Sequence, residues 1–111
     1  MLKTAEYVSI GHPDKIADFI SSYLLDKLIE QDNSLKYAVE VMIKDNTVIL
    51  GGEVSGYIKI DDISAIVKDA LRTIGYDERY ASIWKEKAID INKIKVIDLI
   101  GIQSSEILQG V

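Results

Sequence analysis

The chain of 111 residues has no cysteine, one proline, one histidine, one tryptophan and no run of apolar side chains longer than three. Without cysteine there are no disulfides, no thiolate metal sites and no cysteine nucleophile. The short apolar runs exclude a membrane-spanning helix. Met1-Leu2-Lys3-Thr4-Ala5-Glu6 opens without a hydrophobic stretch, so no secretory leader is expected and the cytoplasm is the expected location. Positive charge is scarce as well: 13 basic residues stand against 18 acidic ones, for a net charge of −5. That argues against unaided nucleic-acid binding, which needs a basic footprint. It leaves room for a divalent cation or for an anion held locally. What is present is an apolar fraction of 48%, enough for one packed core in a chain of one-domain length.

No repeat or low-complexity segment divides the chain. Residues 2–9 read as a short strand, broken by Gly11-His12-Pro13-Asp14. Proline suits the first turn of a helix, where its missing N–H costs nothing, and Asp14 adds a favourable negative charge there. The helix is expected to run to about Asp32, with Ile16, Phe19, Ile20, Tyr23, Leu24 and Leu28 as its apolar stripe. A hairpin follows: Leu35–Lys44, a two-residue turn at Asp45-Asn46, and Thr47–Ser55. Asp61 or Asp62 caps a second helix with Ile63, Ile66, Val67, Ala70, Leu71 and Ile74 on one side, and Gly75 ends it. Residues 76–92 read as a loop with room for one helical turn, with Tyr76–Tyr80 turn-like. Lys93–Gly101 reads as a strand, and residues 104–111 show no period. The expected fold is α+β: β-α-β-β-α-β, with two helices packed on one face of a mainly antiparallel sheet.

A two-residue turn at Asp45-Asn46 makes hairpin partners whose numbers sum to 91. One face then carries Tyr37, Val39, Val41, Ile43, Val48, Leu50 and Val54, wholly apolar and suited to the helices. The other carries Ala38, Glu40, Met42, Ile49, Gly51 and Glu53, with Glu53 opposite Ala38 and Glu40 opposite Gly51. Two acids among small and apolar residues suggest a covered face that holds something cationic. An ordinary solvated sheet face is the competing reading, and a one-residue slip in register exchanges the two faces.

Of the chemistry-bearing residues, His12 sits at a strand-to-helix turn, where backbone N–H groups attract anions. Asp14 is a hard oxygen ligand suited to magnesium beside a phosphate. The residues alone also allow His12 as a surface side chain, Asp14 as a helix-start acid and Lys15 as a solvated cation. Gly51-Gly52-Glu53 suits a bulge or a close backbone approach. No GxGxxG, Walker, HExxH or paired CxxC motif is present.

Gly11-His12-Pro13-Asp14-Lys15-Ile16-Ala17-Asp18 resembles the opening signature of S-adenosylmethionine synthetase, also called methionine adenosyltransferase. Further matches follow in order: Leu25–Asp32, Ala38-Val39-Glu40, Gly51-Gly52-Glu53, Ile74-Gly75-Tyr76-Asp77, Gly101-Ile102-Gln103-Ser104 and Gln109-Gly110-Val111. The family makes S-adenosylmethionine from ATP and methionine, releasing phosphate and pyrophosphate. Carried over motif by motif, the resemblance implies that His12 contacts ATP near the breaking bond and is catalytic, with Lys15 also at ATP. It implies Asp14 for magnesium, Glu40 for potassium, and Glu53 and Gln103 for methionine. Glu6 matches a further acid near the same site.

Ile10, Ile102, Ser105 and Glu106 depart from the family's usual residues, and residues 78–95 show no likeness to it. The family enzyme has three similar α/β domains, and residues 1–111 resemble the first. The chain alone is therefore expected to be an inactive part of an enzyme. A homo-oligomer is expected through the sheet face, where Ala38, Met42 and Ile49 form an apolar patch. Two other readings use the same residues: a non-catalytic dimerisation or binding module that retains the fold, and a small ATP-binding domain with a different reaction.

Overall fold

The computed structural model describes residues 13–78 and 89–103. The expected strand at 2–9 and the tail at 104–111 lie outside them. Helix α1 spans Pro13–Ile29 and begins at the proline, as its missing N–H predicts. Ile16, Ile20, Leu24 and Leu28, spaced by four, are buried, while Phe19 and Tyr23 flank them half-buried. Lys27 in the last turn carries its Nζ 5.4 Å from the Tyr23 ring centroid, a favourable place for a cation at the negative helix end. The helix stops three residues before the expected Asp32. There the side chains of Gln31 and Asp32 turn to bond the backbone of Tyr57 and Lys59 instead of continuing the helix.

Strands β1 (Lys36–Lys44) and β2 (Thr47–Ser55) form the expected hairpin. Their pairing runs from Lys36 opposite Ser55 to Lys44 opposite Thr47, so every pair sums to 91. Asp45 takes a φ of 56°, the left-handed conformation that a two-residue turn demands. The register is continuous through Gly51-Gly52, so no bulge interrupts the ladder, and the close-approach reading holds at Gly52 alone. Gly52 has a φ of 129°, and a Cβ there would collide with the carbonyl oxygen of Ala38.

Helix α2 spans Ile63–Thr73. Asp62 caps it by accepting the Ala65 N–H at 3.1 Å. At its end Gly75 N–H donates to the Arg72 carbonyl and Tyr76 N–H to the Leu71 carbonyl, with Gly75 at φ 103°. This is a Schellman ending, and it turns the chain back against the helix. Tyr76, which the sequence placed in a turn, is therefore fully buried beside Leu71.

Residues Ile91–Lys93 form a single 3₁₀ turn, capped by Asp90 accepting the Asn92 N–H at 2.9 Å. Strand β3 consequently spans Lys95–Gln103, two residues later than expected at each end. It pairs in parallel with β2, Thr47 opposite Lys95 through Ser55 opposite Gln103. The described sheet, ordered β1-β2-β3, thus contains one antiparallel and one parallel pair. Both helices pack on its inner face. Val48, Leu50 and Val54 of β2 join the α1 stripe and Val67, Ala70 and Leu71 of α2 in one core. Burying each of the Val, Leu and Ile side chains among them contributes about 1.5–3 kcal/mol. Ser21 ties α1 to β1: the Tyr37 hydroxyl donates to the Ser21 carbonyl at 2.8 Å, and burial pushes that hydroxyl above its ordinary pKa against the opposing Ser21 side-chain bond.

Candidate functional site

Pairing of three strands arranges the outer face in rows. Lys36, Ser55 and Gln103 form one row, then Ala38, Glu53 and Gly101, then Glu40, Gly51 and Leu99, then Met42, Ile49 and Ile97. Successive rows on one face are about 7 Å apart, twice the rise per residue of a strand. Glu40 and Glu53 are therefore diagonal neighbours, and Gln103 lies one row beyond Glu53 on the adjacent strand. All three are exposed, as are Met42 (60%) and Leu99 (65%). No helix among the described elements covers this face.

The middle of the face is hollow. A Cβ on Gly51 would meet nothing within 4 Å, and Gly51 separates Glu40 from Leu99 in their row. A concave patch of about 600 Å³ is lined there by Ala38, Glu40, Met42, Ile49 and Gly51, among others. Its lining is mostly apolar and includes one carboxylate residue, Glu40. The Glu53 carboxylate reaches from β2 over Gly101 of β3, the strand that also holds Gln103.

The structure thus brings together Glu40, Glu53 and Gln103, three of the residues singled out in the sequence. Lys15 is exposed in the first turn of α1, in the helical layer and not on the sheet. Asp14 lies in the same turn, and its side chain is outside the described residues, as are Glu6 and His12. Among the described residues no group of three or more His, Cys, Asp or Glu gathers as a cation site. Carboxylate oxygens are the donors that magnesium and potassium take. Two carboxylates leave most of a coordination shell to water, substrate oxygens or other parts of an enzyme. Of the departures from the family pattern, Ile102 pairs with Val54 and so belongs to the inner, helix-bearing face, away from Gln103. Ile10, Ser105 and Glu106 lie outside the described residues.

Sequence reasoning missed Leu99 and Gly101, because the β3 partner and its parallel direction were not assigned. The signal was available: a strand, a helix and a strand in succession is the pattern of a parallel crossover.

The family model for "S-adenosylmethionine synthetase, N-terminal domain" matches residues 1–105. The chain belongs to this family. Its sequence is 39% identical over 109 residues to the S-adenosylmethionine synthase of Borreliella afzelii (strain PKo) and 40% identical over 109 residues to that of Borrelia garinii subsp. bavariensis. Each match covers 97% of this chain and 26% of the relative. Among solved structures, an unusual S-adenosylmethionine synthetase from Campylobacter jejuni superposes with a TM-score of 0.78 at 37% identity, over 89% of this chain and 26% of that one. The chain spans about a quarter of the length of the relatives it matches. No helix among the described residues is long and apolar enough to cross a membrane.

Proposed function

We propose that this chain supplies the N-terminal-domain share of a methionine adenosyltransferase active site, acting in the cytoplasm as the first of that family's three domains. The observation that carries the reading is the placement of Glu40, Glu53 and Gln103 on one sheet face that no described helix covers, in a member of this family. The reaction forms a bond between the methionine sulfur and the ribose 5′ carbon of ATP. It breaks the bond from that carbon to the triphosphate, whose oxygen takes the electron pair. The triphosphate is then hydrolysed to phosphate and pyrophosphate.

On this reading the Glu53 carboxylate complements the methionine ammonium group, and the Gln103 amide binds and orients the same substrate. Fixing the sulfur against the 5′ carbon lowers the barrier by positioning. His12, which precedes α1 in the sequence, and Lys15 donate to the phosphates, where the leaving group gathers charge. Glu6 would supply a further acid of the site. Asp14 would hold magnesium and Glu40 potassium; magnesium neutralises charge on the departing triphosphate when bound. The hard oxygen donors of both residues suit these ions.

A polypeptide of these 111 residues alone is inactive on this reading, because it spans only about a quarter of the matched relatives' length and holds only part of the residues the reaction needs. Apolar Met42 and Leu99, exposed beside the acids, support pairing of this face with a second copy. The test is a chimaera in which this chain replaces the matching quarter of the Borreliella afzelii synthase. Methionine-dependent release of phosphate and pyrophosphate from ATP is expected from the chimaera and not from the chain alone. A folded chimaera without that activity, or turnover by the chain alone, contradicts the reading.

A further inference from the structure

Gly101 stands directly beside Glu53 in the β2-β3 ladder. A Cβ at residue 101 would lie 2.8 Å from both Cδ and Oε1 of Glu53, and closer still to Oε2. The carboxylate therefore occupies the space that any side chain at 101 requires. Gly101 is not among the glycines with positive φ, so its backbone conformation is one that other residues adopt freely. Glycine inside a strand costs stability relative to alanine through chain entropy and lost packing. Neither backbone geometry nor strand propensity accounts for glycine here. Room for the Glu53 carboxylate does.

We propose that Gly101 is a positioning residue for methionine binding: its missing side chain lets Glu53 fold over β3 into the row next to Gln103. This rests on the assignment of Glu53 and Gln103 to methionine. The colliding atoms are the far end of a flexible side chain, so a methyl group at 101 displaces the carboxylate without breaking the sheet. Gly101→Ala consequently changes where the charge sits far more than it changes folding. The contrast is with Gly52, where the obstructing atom is the Ala38 backbone carbonyl and cannot yield.

Two measurements test this. In the chimaeric synthase, Gly101→Ala should raise the methionine KM about tenfold, the scale of one displaced charged hydrogen bond, with the ATP KM unchanged. In a Glu53→Ala background the same substitution should have no further effect, because the group it moves is gone. An undiminished Gly101→Ala effect in that background, or none at all where Glu53→Ala is harmful, overturns the proposal. A silent Glu53→Ala strikes the methionine assignment instead. The second measurement then decides separately, in this chain without substrate. The Glu53 side-chain rotamer, read by NMR, should differ between wild type and Gly101→Ala while the unfolding midpoint stays close. An unchanged rotamer overturns the positioning role whatever methionine does.

Discussion

The side-chain amide of Gln31 makes both hydrogen bonds of a strand partner to the backbone of Lys59. Its Nε2 donates to the Lys59 carbonyl at 2.9 Å, and its Oε1 accepts the Lys59 N–H at 2.7 Å. One side chain thereby joins the end of α1 to the connection between β2 and α2. Gln31→Ala removes both bonds and should lower stability by about 1–2 kcal/mol, at a typical value near 1 kcal/mol each with a discount for exposure. Gln31→Glu should recover only part of it, since a carboxylate cannot donate to the carbonyl. Urea unfolding of the three chains measures the series.

Asp32 anchors the same connection. Its carboxyl is held below its ordinary pKa chiefly by the Tyr57 N–H, then by the hydroxyl and N–H of Ser34. A folded-state value below the unfolded one contributes stability above the ordinary value of 3.8, lost as pH falls through the lower folded value. Asp32→Asn should therefore be less stable than wild type at neutral pH, and the gap should narrow below about pH 4. Thermal melts of both chains across that range check it. Parallel curves would assign the acid sensitivity elsewhere.

Adjacent glycines in β2 should respond in opposite ways. Gly52→Ala combines a positive φ with a collision against the Ala38 carbonyl and should cost at least about 2 kcal/mol. Gly51→Ala places its methyl in open space and should stay within about 0.5 kcal/mol of wild type. Equal effects at the two positions would contradict the register on which the outer face is built.

Self-association should run through the outer face. Met42 and Leu99 are its most exposed large apolar side chains, so Met42→Lys with Leu99→Lys should shift sedimenting material towards monomer. Wild-type chain that stays monomeric at high concentration would remove this face as a contact between copies.

Much of this was legible in sequence because period and turn chemistry agreed. Asp45-Asn46 set the hairpin register, and that register alone placed Glu40 and Glu53 on one face away from the helices. The stripe from Ile16 to Leu28 and the cap at Asp62 were readable in the same way. Tyr76 was not, because a polar-looking turn residue became core through the Gly75 reversal that follows α2. The helix α1 ends earlier than its apolar stripe suggests because the side chains of Gln31, a good helix former, and Asp32 here serve distant backbone. The strand-helix-strand order signals a parallel β3, but nothing local sets the register that puts Gly101 beside Glu53, because that pairing joins residues far apart in the chain.

The central claim is that this chain brings the methionine-binding share of a synthase site. The most direct measurement is S-adenosylmethionine formation by the Borreliella afzelii chimaera, with and without Glu53→Ala. The chimaera should turn over, and the substituted one should need at least about tenfold more methionine, as expected for loss of a charged hydrogen bond. A folded chimaera whose methionine KM ignores Glu53→Ala would contradict the account.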